Sequence, residues 1–479
     1  MSTDARVPTG LAGLDEILKG GFLPNNAYLV RGGPGTGKST FGMHFLSHGA
    51  RLGEKALYIT LGESEKNLRR NAGRMDIDLE GVYFVDESPR QDLEEESGSY
   101  GIFHSGDVEQ QPILESVVEK VRELEPNRVF LDSITMLRFL SRDPFQLRKT
   151  ALSLMNYIGD RGGTLLMTSE TADDKSEQDA TFWVDGNLHL EYSPDWRKLR
   201  VTKFRGSDFM HGTHAFRISE QGITIFPRLQ PRNYERKFVS EALSSGIPEL
   251  DNLLHGGLEK GTITIVTGPT GTGKTNMGVQ FLKEAASRGE RSALYTFEES
   301  AETVIRRSES INVPIRHMIE KGNLRIVPVG PLTYSPDEFL NMVRTDVEEN
   351  GTTMVMIDSI GAYSLAVREE NTLERLHTLT VYLQNMGITG LLLHEASNIT
   401  GQFETTGMNA SYLADNIIFL RYMEMEGELR KVVGVLKKRM SDFERSIRHF
   451  EITSEGLQVG GRLDNLRGIL TGLPEQMQS

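Results

Sequence analysis

The chain has 479 residues, 38% hydrophobic and 25% charged, the balance of a globular protein with real cores. No run approaches the ~18 consecutive apolar residues that span a bilayer, and the opening MSTDARVPTG lacks the basic-then-apolar layout of a secretion signal, so a cytoplasmic location is expected. Cysteine is absent, which excludes disulfides, thiolate metal sites and cysteine nucleophiles, and a net charge of −14 argues against an extended nucleic-acid surface.

Read in chain order, the elements repeat. TGLAGLDEILKGGF (Thr9–Phe22) leads to an apolar run and then to GGPGTGKS (Gly32–Ser39), which opens a helical pattern. This is the GxxxxGK[ST] phosphate loop in its diagnostic context, strand before and helix after. Its glycines let backbone N–H groups and a helix N-terminus face an anion. The candidate nucleotide contacts are Gly32, Gly33, Pro34, Gly35, Thr36, Gly37, Lys38, Ser39 and Thr40. Lys38 would reach the β- and γ-phosphates, and Ser39 would hold Mg²⁺.

The next strand-like run, Ala56–Thr60, is followed by Gly62-Glu63. A carboxylate here can polarise a water or hydroxyl for attack on a γ-phosphate. The acidic stretch RQDLEEESGSYGIFHS (Arg90–Ser105) reads as an exposed inserted loop. Asp132 ends the run Val129–Asp132, where a carboxylate would support Mg²⁺. Another strand, Thr164–Thr168, and a basic trio, Lys203-Phe204-Arg205, complete the half. In a ring of subunits such cations can reach a neighbour's γ-phosphate.

The polar joint Pro227–Phe238 precedes a second copy of the pattern. SGIPELDNLLHGGL (Ser245–Leu258) repeats the opening, and GPTGTGKT (Gly268–Thr275) repeats the loop. The second set of candidates is Gly268, Pro269, Thr270, Gly271, Thr272, Gly273, Lys274, Thr275 and Asn276, with Asp358 in the place of Asp132. Thr275 and Asp358 join Ser39 and Asp132 as the Mg²⁺-binding candidates. From Gly10 to Lys38 and from Gly246 to Lys274 the spacing is 28 residues. From Lys38 to Gly62 and from Lys274 to Glu298 it is 24. Glu298-Glu299 therefore aligns with Gly62-Glu63, and the first half lacks one carboxylate. Lys437-Lys438-Arg439 matches the first basic trio.

A repeat of this length is a duplicated domain: residues 1–230, a linker at 231–242, and 243–479. Each half alternates short β-branched runs with helix-length amphipathic stretches. The expected fold is α/β, two tandem RecA-like P-loop NTPase domains, each a mostly parallel twisted sheet flanked by helices.

These residues resemble the KaiC family of double-domain ATPases in the RecA/DnaB superfamily. The most specific stretches are LKGGF, KFRGSDFMHGTHAFRISEQGITIFP, LYTFEES and LADNIIFLRYMEMEGELRKVVGVLKKR. The resemblance implies a homohexameric double ring with ATP and Mg²⁺ at subunit interfaces. It implies an assembly ATPase in the first domain and a serine/threonine autokinase and autophosphatase in the second. By position, Glu298 and Glu299 match the family's catalytic pair and Glu63 one member of the first-domain pair. Lys203, Arg205, Lys437 and Arg439 match its interface cations. Ser411 aligns with a phosphosite, as does Tyr412, a tyrosine where the family has threonine, and Thr406 aligns with a further threonine.

Departures modify the partner expectations. Five residues follow Pro474, so an activator that grips a long tail is not expected. The acidic insertion falls near where the family's small thioredoxin-like partner, KaiB, docks. Two alternatives carry their own signatures. An assembly scaffold would bind ATP with little turnover. A nucleic-acid ATPase would need basic, aromatic channel loops, whereas Ser169–Ala180 and Glu395–Ala410 are acidic or neutral.

Overall fold

The computed structural model describes residues 5–88, 110–139, 144–170, 181–193, 195–367, 372–396, 410–425, 427–464, 466–467 and 475–476. The chain divides into two units, Met1–Arg228 and Leu229–Ser479.

The first unit carries β1 (Ala27–Gly32), β2 (Ala56–Thr60), β3 (Val82–Asp86), β4 (Arg128–Asp132), β5 (Thr164–Glu170), β6 (Gly186–Tyr192), β7 (Arg197–Phe204), β8 (His214–Ser219) and β9 (Gly222–Phe226). Among the described residues they form one nine-stranded sheet in the order β3-β2-β4-β5-β1-β6-β7-β8-β9. Pairing is parallel from β3 to β6 and antiparallel beyond it.

The second unit opens with a short antiparallel pair, β10 (Ala242–Leu243) and β11 (Leu258–Glu259). It then repeats the architecture with β12 (Ile263–Gly268), β13 (Arg291–Thr296), β14 (Leu324–Pro328), β15 (Thr352–Asp358), β16 (Thr389–Glu395), β17 (Asn416–Met425), β18 (Glu428–Lys438), β19 (Arg448–Thr453) and β20 (Gly456–Arg462). Their order, β14-β13-β15-β16-β12-β17-β18-β19-β20, reproduces the first sheet strand for strand. The expected pair of mostly parallel α/β domains is what the chain builds.

The central strands are buried on both faces, which is why they read as near-continuous apolar runs. In β1, Tyr28 and Val30 enter one core while Ala27 and Leu29 enter the other, the period of two of a pleated strand. In β12, Val266 enters one core while Ile263 and Ile265 enter the other. Helices cover both faces. Among the described residues no helix is long and apolar enough to cross a membrane.

The joint is not a free tether. Pro231–Asn233 forms a 3-10 turn, and Arg236 N–H donates to Asn385 O at 2.9 Å. Asn385 Nδ2 donates to Pro231 O at 3.0 Å, and Tyr234 packs edge-on against Tyr382. Its aromatic residue gives this polar, proline-bearing stretch something to bury, so it docks on the second unit's own helices.

Candidate nucleotide sites

Both glycine-rich loops leave the carboxyl end of a central strand and enter a helix, Lys38–Arg51 after β1 and Lys274–Ser287 after β12. The residue before each helix is a glycine in the left-handed region, Gly37 at φ 103° and Gly273 at φ 105°. A side chain there would also collide with Ile218 or Ile452, each 2.6 Å from the Cβ position. Thr36 braces the first loop by donating to Gly33 O at 2.8 Å, and Thr272 braces the second by donating to Pro269 O at 2.8 Å. The result is a fixed loop with a helix N-terminus beside it, the geometry that accepts phosphate. Lys38 Nζ lies 2.8 Å from Gly32 O, and Lys274 Nζ 2.9 Å from Pro269 O, so each ammonium stands over its own loop. Burial lowers the pKa of Lys274.

The hydroxyl of Ser39 donates to Asp132 at 2.6 Å, and that of Thr275 to Asp358 at 2.7 Å. A hydroxyl beside a carboxylate at the phosphate end of a loop is the hard-oxygen set that Mg²⁺ takes together with phosphate and water, so these residues fit the ion. Among the described residues no cluster of three or more His, Cys, Asp or Glu gathers to hold a metal by itself.

The two sites then diverge. Asp132 also accepts from Tyr58 at 3.1 Å and from Thr168 at 2.5 Å, so three hydroxyls share it. Burial, with the nearby Asp132 charge, holds the Tyr58 phenol well above its ordinary range. Asp358 has Thr275 as its hydrogen-bonding hydroxyl, and burial raises its carboxyl pKa, a rise the Thr275 bond opposes.

In the second unit Thr270, Lys274, Thr275, Glu298, Glu299, Arg307, Asp358 and Glu395 help line one cavity of about 210 Å³. Glu298 accepts from Ser359 Oγ at 3.2 Å, and Glu299 accepts from Arg307 Nη1 at 2.6 Å. Glu395 accepts from Thr270. In the first unit Glu63 accepts from Asn71 Nδ2 at 2.9 Å, and Gly62 is exposed.

Sequence reading missed Arg307, Asn71, Tyr58, Thr168 and Glu395. For the first two a signal existed: both lie eight residues past the aligned glutamate, so lining up the two halves sets Asn71 against Arg307.

The basic trios stand elsewhere. Gly186 pairs with Tyr28 at the start of β1 and with Phe204 on β7, so Lys203 and Arg205 sit at the end of the sheet opposite the loop. Six strand residues at about 3.3 Å each separate the two ends by roughly 16–20 Å. Lys438 and Lys437 likewise face Asn416 and Ile417, beside the start of β12. Each set is anchored locally. Lys203 donates to Thr181 O at 2.9 Å and Arg205 lies 3.7 Å from Asp185. Lys437 donates to Ser411 O at 3.0 Å and Ala414 O at 2.7 Å, and Arg439 lies 3.5 Å from Asp415. Burial, then the adjacent arginine, lowers the pKa of both lysines. The structure therefore gathers loop, aspartate and glutamates at one end of each sheet and the trios at the other.

Ser411 and Tyr412 lie on a single 3-10 turn, Ala410–Leu413, at the trio's end of the second sheet. Tyr412 is 49% exposed and meets His377 edge-on. Thr406, the acidic stretch Arg90–Ser105 and most of the two channel-loop candidates lie outside the described residues.

The family model for the KaiC ATPase matches residues 7–230 and again residues 243–464. A circadian clock protein KaiC3 of Synechocystis is 31% identical over 484 residues, covering 98% of this chain and 94% of the relative. A circadian clock oscillator protein KaiC of Parasynechococcus marenigrum is 28% identical over 487 residues, 98% of this chain and 93% of the relative. A second oscillator protein KaiC, from Acaryochloris marina, is 28% identical over 487 residues, with 98% and 92% covered.

Proposed function

The chain belongs to the KaiC family of ATPases, and on that premise we propose that it is an ATP-dependent homohexameric double ring whose second domain phosphorylates Ser411 of the neighbouring subunit. The observation that carries this reading is a separation. Ser411 and the Lys437 that holds its carbonyl sit at the opposite end of the sheet from the loop of the same chain. A phosphoryl group on Lys274's loop cannot reach Ser411 of its own subunit across roughly 16–20 Å. It reaches the Ser411 of a neighbour when nucleotide lies between subunits.

In this reading Glu298 accepts the proton of the attacking hydroxyl, and Lys274 with the loop N–H groups orients the polyphosphate and takes up charge that develops on it. Lys437 and Arg439 approach the same phosphates from the neighbouring subunit. Mg²⁺, held by Thr275 and Asp358, supplies charge neutralisation when bound. Tyr412 is a weaker acceptor, since its longer reach places its oxygen differently from the serine. The first domain, with Glu63 alone and with Ser39 and Asp132 for Mg²⁺, binds ATP for assembly and turns it over slowly. A timing role follows from the relatives' names. A KaiB-like partner on the first domain belongs to the same reading.

Mixing tests it. Lys274→Ala chains and Ser411→Ala chains should each carry no phosphate on residue 411 when incubated alone. Mixed with Mg-ATP, phosphate should appear on Ser411 of the Lys274→Ala chain. Its absence in verified mixed hexamers rejects transfer between subunits.

A further inference from the structure

The second cavity carries an excess of negative charge for a site that must take a polyphosphate. Glu298, Glu299, Asp358 and Glu395 line it against two cations, Lys274 and Arg307. Like charges confined in one cavity oppose both one another and any incoming anion. Arg307 answers one of them directly: its Nη1 donates to Glu299 at 2.6 Å, and both side chains are about two-thirds buried, each at 32% exposure. Arg307 Nε, Arg307 Nη2 and Glu299 Oε2 are shut away without a hydrogen-bond partner. A pair that leaves donors and an acceptor unpaired is poor value as a stabilising device, because desolvation offsets most of the attraction.

The first unit supplies the control. There Glu63 meets neutral Asn71 at 2.9 Å, and Gly62 stands where Glu298 would be. The site with the extra carboxylate is the site with the extra cation. The bland alternative is that Arg307, in the last turn of the helix Ala301–Glu309, merely complements the helix dipole. That role needs no bond to Glu299. It would also be served by Arg306, which pairs instead with exposed Glu302 at 2.9 Å.

We propose that Arg307 is a positioning residue of the second site, which binds Glu299 and offsets its charge so that the cavity can hold ATP beside two glutamates. The proposal rests on the reading of this cavity as an ATP site. It predicts that the harm done by removing Arg307 comes from the charge left on Glu299, so deleting that charge should repair it.

The test uses the full-length chain carrying Lys38→Ala, so that the second site dominates. Binding of the magnesium complex of a non-hydrolysable ATP analogue is measured by calorimetry. Arg307→Asn should weaken binding by about tenfold or more, as expected when a buried charge loses its partner. Arg307→Lys should retain most of the affinity. Adding Glu299→Gln to Arg307→Asn should recover the larger part of the loss, a repair that a purely structural role would not show. Should Arg307→Asn fail to fold, Glu299→Gln alone decides, because it should tighten binding several-fold. Affinity within twofold of the parent in Arg307→Asn, or a loss that Glu299→Gln does not repair, overturns the proposal, as does Glu299→Gln alone binding no tighter than the parent. Lys274→Ala separates the two levels. If it abolishes binding while Arg307→Asn does not weaken it, only the role of Arg307 fails. If it too leaves binding intact, the ATP site itself fails.

Discussion

The ammonium of Lys437 donates to the carbonyl of Ser411 at 3.0 Å, tying the first residue of the second basic trio to the residue proposed to be phosphorylated. The same ammonium holds Ala414 O at 2.7 Å, so one side chain fixes both ends of the turn before β17. Lys437→Ala should lower Ser411 phosphorylation by about tenfold or more, since charge-assisted bonds of this kind contribute roughly 1.5–3 kcal/mol. ATP binding should change little, because Lys274 and the glycine-rich loop of the nucleotide's own subunit carry most of the grip on the polyphosphate. Phosphopeptide quantitation alongside a nucleotide-binding assay checks the split, and equal loss in both assays would count against it.

Gly62 is the simplest place to change the first site. A Cβ there meets nothing within 4 Å, and Gly62 does not occupy the left-handed region. Gly62→Glu should therefore fold normally and raise phosphate release by several-fold in a chain whose second site is silenced by Lys274→Ala. A general base typically contributes about 10²–10⁴-fold where it is fully positioned. Release unchanged in a correctly folded variant would mean that the missing carboxylate is not what limits this site.

Asp358 is ionised at a cost, because burial raises its carboxyl pKa. A carboxyl raised in the folded state favours folding while protonated and loses that advantage as pH rises through the folded pKa. Asp358→Asn should therefore raise the melting temperature of the nucleotide-free protein at pH 7. The gain should shrink as pH falls into the carboxylate range, and phosphoryl transfer should be lost. A lower melting temperature at pH 7 would show that the Thr275 bond outweighs burial.

His44, on the helix that begins with Lys38, accepts the N–H of Ile223 on Nε2 at 2.9 Å. Burial pushes its pKa down from 6.5 to about 4. The folded state thus keeps His44 neutral while the unfolded chain protonates, so its contribution is full above pH 6.5 and is lost as pH falls towards 4. Denaturant titrations across that window should show stability falling by on the order of 1–3 kcal/mol more in the parent than in His44→Gln. Parallel curves would remove His44 from the account.

The sequence exposes what is carried by neighbours in the chain. The loops, Asp132 and Asp358, and the mostly parallel character of each sheet follow from local runs whose glycines and apolar residues have one physical use, whereas the strand order does not. The Gly62-for-Glu298 difference is visible as well, because the repeat supplies its own alignment. Tyr58 and Thr168 read only as core-strand residues, and nothing local says that both hydroxyls turn to Asp132. Arg307 reads as a charge near a helix end. Its bond to Glu299 spans two helical turns and depends on the side chain running back towards the helix N-terminus. The polar joint reads as a linker until Tyr234 is seen against Tyr382.

The central claim is phosphoryl transfer to Ser411 with Glu298 as its base. Intact-mass spectrometry with phosphosite mapping, after incubation with Mg-ATP, tests it most directly on the parent chain and on Glu298→Gln. The account predicts one phosphate on Ser411 in the parent and none in the variant. A parent chain that hydrolyses ATP yet carries no phosphate on Ser411, or a variant phosphorylated as fully as the parent, would contradict it.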